Sequence, residues 1–314
     1  MSGTAAPRAG DSRTLLWPAR VVEWAAAAFT ADYLNRIESD MHSGRIIIGQ
    51  QPPAQAAQAQ PAGGTLAPGD LLVREVALIS HGGPVEAPEG IVYSTQPRTA
   101  LDLDGNHYVT KGTGDVGMVV AELVGYKLAE LLKIPVPGFG VGRFGADGEP
   151  LFVSEMVGDA QRDVAPWLKK KLVTNGDAVL RLLALDVWIA NNDRNMGGLL
   201  GRPVQSEPGK IEIVAIDFEK AQVVRHDTPL VGIPLMNPKA FWPTGTLGKL
   251  CREVLNLDVG IVTEFAGFTD GQVGQVVDSC VAAVGDGFTR RDSVCFTLRK
   301  RLAKLTDLVK EAWA

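Results

Sequence analysis

Residues 177–190 constrain this chain more than any other stretch. Val179, Leu182, Leu183, Val187 and their apolar neighbours nearly surround the helix that their spacing predicts, and a helix that is apolar all round has to be buried. Asp177 is placed to cap its start. The helix empties into Asn191-Asn192-Asp193-Arg194-Asn195-Met196-Gly197-Gly198-Leu199-Leu200. Downstream, a β-rich run over residues 210–216 ends on Asp217, ahead of Phe218 and Glu219. Burying the helix and the strand leaves two carboxylates, Asp193 and Asp217, at the ends of rigid elements.

The chain has the material for such a core. Of 314 residues, 46% are hydrophobic and 21% charged, enough for one large domain or two lobes. A net charge of −5 lacks the basic footprint of a dedicated DNA binder, and no direct nucleic-acid binding is expected. Cys251, Cys280 and Cys295 have no metal-ligand spacing and read as reduced core thiols. His42, His81, His107 and His226 are scattered, without a zinc pattern. No apolar run is long enough to span a bilayer, and Arg20 and Glu23 interrupt any signal-peptide core. The expectation is a cytoplasmic protein with no membrane partner.

Along the chain, Pro18 opens a helix over residues 18–38, and residues 46–48 form a short strand. Residues 50–68, rich in Gln, Pro, Ala and Gly, read as a linker. A β pattern follows: strands over 71–79 and 90–95, separated by a break at Ser80-His81-Gly82-Gly83-Pro84, and a strand over 107–111 that ends on Lys111. Asp115 caps a helix through about Lys133, closed by Pro135 and Pro137. Strands over 139–144 and 151–154 complete a small sheet. The last third carries helices over 247–256, 270–284 and 292–312, the last with an apolar stripe of Leu298, Leu302, Leu305 and Val309. Lys169-Lys170-Lys171 and Arg299-Lys300-Arg301 read as solvated faces. The expected architecture is α+β: a helical appendage at 1–49, a linker at 50–69, a β-rich lobe at 70–156 and a mostly helical lobe at 157–314.

Four residues fall in an order that makes chemical sense. Lys111 ends a strand, where a rigid backbone can aim an ammonium at nucleotide phosphates. Glu122, on the next helix, is placed to pair with it. Asp193 can orient a substrate hydroxyl, and Asp217 offers hard oxygen ligands to Mg²⁺. Phosphoryl transfer asks for this set.

Residues from about 70 to 312 resemble a HipA-like kinase domain, within the wider protein-kinase and phosphatidylinositol-kinase fold group. The resemblance is carried by the run from Asp104 to Lys111, the run from Ala121 and Glu122 to Pro137, the run from Leu185 and Asp186 to Asn195, and Ile216-Asp217. It implies a two-lobed protein-kinase-like fold with ATP and Mg²⁺ as cofactors. Lys111 is then the ATP-phosphate lysine, Asp193 the catalytic carboxylate and Asp217 the metal ligand. Asn191 and Asp186 brace the catalytic loop. Residues 151–156 fall at the interlobe hinge, where the backbone of Ser154, Glu155 and Met156 is expected to meet adenine. Gly82 and Gly83 lie where a phosphate-covering lid belongs.

One position departs from the family pattern. Five residues after Asp193, where a metal-binding Asn belongs, stands Gly198. Asn195 or Asn192 is the candidate substitute ligand, and Gly198→Asn is expected to restore a carbonyl oxygen. The implied activity is transfer of a phosphoryl group from ATP to a hydroxyl, on Ser or Thr of a protein. The alternatives are a pseudokinase binding module and a small-molecule or lipid kinase.

Overall fold

A five-stranded barrel leads the described part of the chain, and helices follow it. The computed structural model describes residues 66–85, 95–191, 193–225, 246–255 and 259–313. The expected helix at 18–38, the strand at 46–48, most of the linker, most of the strand at 90–95 and Asn192 lie outside these residues.

The barrel is mixed. Strands β1 (Arg74–Pro84), β2 (Arg98–Asp102), β3 (His107–Lys111), β4 (Phe139–Phe144) and β5 (Leu151–Glu155) run in the order β1-β2-β3-β5-β4. Neighbours are antiparallel except β1 and β4, whose parallel pairing closes the barrel. Val76, Leu78, Ala100, Tyr108, Leu151 and Val153 form its own small core. Alternation sends the opposite face of β3, including Lys111, away from this interior.

Two expectations about β1 fail. Leu71, Leu72 and Val73 do not begin the strand. Pro68–Leu71 makes one helical turn, α1, with the Asp70 carboxylate accepting from the Ala67 N–H at 3.2 Å. Proline suits that first turn. Nor do Gly82 and Gly83 break the strand: pairing to β2 continues to Pro84 opposite Arg98, absorbed by two register slips. Leu66, inside the expected linker, is buried in the main core, so the folded body begins before residue 70.

Helix α2 (Val116–Leu131) packs against the outer face of the barrel and against the helices that follow. It is buried all round from Met118 to Ala129. Asp115 caps it as expected, accepting from the Met118 N–H at 2.9 Å. After the short α3 (Ala165–Lys169) comes α4 (Gly176–Ile189), the buried apolar helix. Its cap position is Asn175 rather than Asp177. The Asn175 side chain is instead engaged with both backbone groups of Ile213, which ties the helix start to a later strand.

That strand belongs to a hairpin, β6 (Leu199–Pro203) and β7 (Ile211–Ala215), paired Leu199 to Ala215. Helices α5 (Gln222–Arg225), α6 (Thr246–Val254), α7 (Asp270–Val284), α8 (Arg291–Leu302) and α9 (Leu305–Trp313), with a 3-10 helix over Val259–Gly267 between α6 and α7, complete the described chain. The single helix expected over 292–312 is two. The three cysteines are buried and free, as expected of core thiols. Burial pushes Cys251 and Cys280 up to about 12. Among the described residues, no helix is long and apolar enough to cross a membrane.

Arg301 corrects the reading of Arg299-Lys300-Arg301 as a solvated face. It is 7% exposed. Its guanidinium donates to the carbonyls of Trp188, at 2.7 Å, and of Val187. Those carbonyls belong to the last turn of α4, where a cation satisfies orphan acceptors and the helix dipole together. Arg301→Met should therefore destabilise the protein by about 2 kcal/mol, the scale of lost hydrogen bonds to a charged group. Denaturant unfolding of the variant checks this.

Candidate active site

The β6–β7 hairpin explains how two distant aspartates meet. Because Leu199 pairs with Ala215, the residues before β6 and after β7 emerge at the same end. The Ile216 N–H continues the ladder to the Gly198 carbonyl at 3.0 Å. Asp193 and Asp217 thus flank one hairpin end.

Arg194 locks that end. Its guanidinium grips Asp186 through two bonds, Nε to Oδ2 at 2.8 Å and Nη2 to Oδ1 at 3.0 Å. Its Nη1 donates to the carbonyls of Gly198, at 2.9 Å, and Ile216. Asn191 Nδ2 adds a bond to Asp186 Oδ1 at 2.8 Å and one to the Asp217 carbonyl at 3.4 Å. Asp186 and Asn191 therefore brace this loop from within the core, with Arg194 as the central piece.

Two backbone residues here are left-handed, Ala190 (φ 54°) at the C-terminal cap of α4 and Asp217 (φ 69°). Strained backbone of this kind persists where surrounding structure holds it. Phe218 supplies part of that hold. Its ring is fully buried, meets Tyr126 edge-on at 5.3 Å, and lies under the Arg194 guanidinium at 4.7 Å. On α2, Gly125 makes the room: a Cβ there would lie 2.4 Å from Phe218.

Lys111 joins the barrel to this loop. Its ammonium donates to Glu122 Oε1 at 2.8 Å and to Asp217 Oδ1 at 2.9 Å, and Glu219 Oε2 lies 3.3 Å away. The second Glu122 oxygen accepts from the Phe218 N–H at 2.8 Å. Burial pulls the Lys111 ammonium toward losing its proton, but the three carboxylates outweigh it and hold the group well above the ordinary lysine range. Burial pushes Glu122 up, against the pull of Lys111. Asp217 is held below the usual carboxylate range: burial works against this, and Lys111, Arg194 and Lys220 overcome it. Asp193 is raised, by partial burial first and then by repulsion from Asp217 and Glu219.

The remaining sequence-stated positions fall outside this cluster or are otherwise engaged. Asn195 is exposed and turned into its own loop, its Oδ1 accepting from the Gly197 N–H at 2.7 Å and its Nδ2 donating to the Asp193 carbonyl at 2.9 Å. It acts there as the cap of the short turn that follows. The expected hinge residues lie at the end of β5 and just beyond it. Ser154 lies between β3 and β4, opposite Val109 and Phe139. The N–H groups of Glu155 and Met156 donate to the carbonyls of Gly138, at 2.7 Å, and His107, at 3.0 Å. Those two N–H groups are thus engaged within the protein. Gly82 and Gly83 lie on β1 beside Thr99: a Cβ on Gly82 would overlap Thr99 Oγ1, and the Gly83 carbonyl accepts from that hydroxyl at 3.3 Å.

Sequence reasoning missed Glu219. It is 2% exposed, accepts from Thr95 Oγ1 at 2.7 Å and lies 3.4 Å from the Lys220 ammonium. The donor set suits a hard divalent cation. Carboxylate oxygens of Glu122, Asp217 and Glu219 lie within 4.8 Å of one another, and Asn191 Oδ1 is a buried acceptor with no hydrogen-bond partner among the described residues. Oxygen ligands of this kind are what Mg²⁺ takes.

No protein-family model matches the chain, and no curated protein matches it. Solved structures that resemble it include a proinflammatory kinase of Helicobacter pylori, CtkA, at 11% identity and a TM-score of 0.47, covering 77% of this chain and 99% of that one.

Proposed function

We propose that this chain is a two-lobed, HipA-like kinase that transfers the γ-phosphoryl group of ATP to a hydroxyl, on Ser or Thr of a protein. The observation that carries this reading is the Lys111 ammonium, held between Glu122 of α2 and Asp217 at the hairpin end, with Asp193 at that same end. A lysine fixed in this way presents a positive charge to phosphate oxygens without the entropy of a free side chain. Asp193, raised in basicity by partial burial first and then by Asp217 and Glu219, accepts or orients the proton of the attacking hydroxyl. Asp217 and Glu219 would hold Mg²⁺, with Asn191 Oδ1 as a further oxygen donor. When bound, the ion neutralises charge on the phosphates.

Incubation with γ-labelled ATP and Mg²⁺ or Mn²⁺ tests the reading. Label should appear on a protein acceptor, and Asp193→Ala should lower transfer by about a hundredfold or more, as loss of a general base does. Asp217→Ala should abolish the strengthening of ATP binding by Mg²⁺. The unfolding midpoint should also fall, because Ala replaces Asp at a left-handed position and the stabilised carboxylate is lost, so binding is compared on folded protein. Label on a small molecule or lipid alone would redirect the acceptor.

A pseudokinase is the second reading, favoured by one observation. The space beside Gly198 is filled: a Cβ there would lie 2.5 Å from Arg194 Nη1. The family's missing Asn is excluded by packing as well as by sequence. ATP binding without transfer by the wild type would select this reading.

A further inference from the structure

We propose that Glu219 makes nucleotide binding at this site dependent on a divalent cation, by filling the place at Lys111 that a phosphate oxygen would otherwise take. The inference rests on reading the site as a nucleotide site. A lysine ammonium has three donors. Glu122 and Asp217, at 2.8 and 2.9 Å, engage two. A site built from those partners alone leaves the third for an incoming phosphate. Here Glu219 Oε2 stands 3.3 Å from the nitrogen.

Glu219 cannot step aside cheaply. It is 2% exposed, and the Thr95 hydroxyl at 2.7 Å and Lys220 at 3.4 Å hold its two oxygens. Three carboxylates already face only the two ammoniums of Lys111 and Lys220, so a metal-free triphosphate arriving at Lys111 adds negative charge to a cluster with an excess of it. A cation placed between Glu219 and the phosphate reverses the sign of that contact, because both then offer oxygens to the same ion. The carboxylates are close enough to share it, within 4.8 Å of one another. Asp217 alone would make a cation helpful. The buried, anchored Glu219 makes it a condition of binding.

The experiment is calorimetric binding of ATP to the full chain, in EDTA and in Mg²⁺, for wild type, Glu219→Gln and Glu219→Asp. Gln keeps the size of the side chain and still accepts from Thr95, while Asp keeps the charge. Wild type should bind Mg²⁺·ATP at least about a hundredfold more tightly than metal-free ATP. Glu219→Gln should tighten metal-free binding by about tenfold or more, the scale of one buried like-charge contact removed, and so shrink the ratio. Glu219→Asp should keep most of it. If Glu219→Gln does not fold, Thr95→Ala releases the same carboxylate from its anchor and should shrink the ratio in the same direction. Equal binding by wild type in both buffers, or an unchanged ratio in Glu219→Gln (in Thr95→Ala where Gln does not fold), overturns the role of Glu219 and leaves the nucleotide reading standing. No binding of ATP in either buffer overturns both.

Discussion

Asp186→Asn should destabilise this protein by about 3–5 kcal/mol, the cost of breaking a buried ion pair from one side. Both partners are out of water, Arg194 with 1% and Asp186 with 0% of the side chain exposed. Asn matches the shape of Asp but not its charge, so the guanidinium would remain buried without its counterion. For a chain of this size the loss corresponds to a fall in the unfolding midpoint on the order of 10 °C. The effect should reach the candidate site, because the same guanidinium donates to the carbonyls of Gly198 and Ile216, and Ile216 precedes Asp217. Binding of Mg²⁺·ATP should weaken even where the variant is fully folded. Arg194→Lys should fail similarly, since a point charge cannot reproduce a planar fork that meets one carboxylate and two carbonyls. A double replacement, Asp186→Leu with Arg194→Met, should recover part of the stability but not the binding. It removes the stranded charge, but the Ile216 carbonyl loses its guanidinium donor and the Gly198 carbonyl keeps only the Ile216 N–H. Thermal unfolding and calorimetry on the four proteins separate the two effects. A midpoint unchanged in Asp186→Asn would show that the pair is not what holds the loop.

The parts of the fold legible in the sequence are those governed by local chemistry. Strand β3 has the bounds that its alternation predicts, His107–Lys111, and α2 begins at the Asp115 cap. The errors lie where tertiary structure overrides a local signal. The run Leu71-Leu72-Val73 looks like a strand start, yet Pro68 presets a helical turn and leaves Leu72 58% exposed. Gly82 and Gly83 look like a loop, but β2 pairs past them. The gap between α8 and α9 is invisible to periodicity, because Leu298, Leu302, Leu305 and Val309 keep helical spacing across it. Arg301 reads as one of three surface cations until α4 is seen to end against it.

The candidate site follows the same division. Lys111, Glu122, Asp193 and Asp217 could be selected from their order and flanks, because each lies at a strand end, on a helix or in a helix exit of recognisable type. Glu219 could not. Its role depends on Thr95 and Lys111, which lie more than a hundred residues before it. The only sequence signal was its position two residues after Asp217. The hinge residues show the opposite case: their place in the order was suggestive, but which of their backbone N–H groups are engaged depends on pairing that the residues themselves do not state.

Gly198→Asn is the prediction on which the structure most directly reverses the sequence. From spacing alone, Asn at this position should add a metal ligand and lower the Mg²⁺ requirement. The backbone would permit it, since Gly198 is not among the left-handed glycines. The obstacle is the neighbour. A Cβ at Gly198 would lie 2.5 Å from Arg194 Nη1 and 3.4 Å from its Cδ and Cζ. That guanidinium is not the free end of a flexible side chain but is fixed by Asp186 and two carbonyls. Making room means pushing Nη1 off the Gly198 and Ile216 carbonyls, which combines overpacking with lost charge-assisted hydrogen bonds, together about 3 kcal/mol. Gly198→Ala should carry most of that cost, because the clash begins at Cβ. Asn should then bind Mg²⁺·ATP no better than Ala, since Asp217 shifts with the carbonyl of Ile216. Denaturant unfolding and Mg²⁺ titration of nucleotide binding, run on wild type, Gly198→Ala and Gly198→Asn, make the comparison. If Ala is neutral and Asn strengthens Mg²⁺-dependent binding, the glycine is a lost ligand. If both unfold earlier and bind more weakly, it is the space that Arg194 needs, and any second carboxylate for the metal has to come from the Glu219 side of the site.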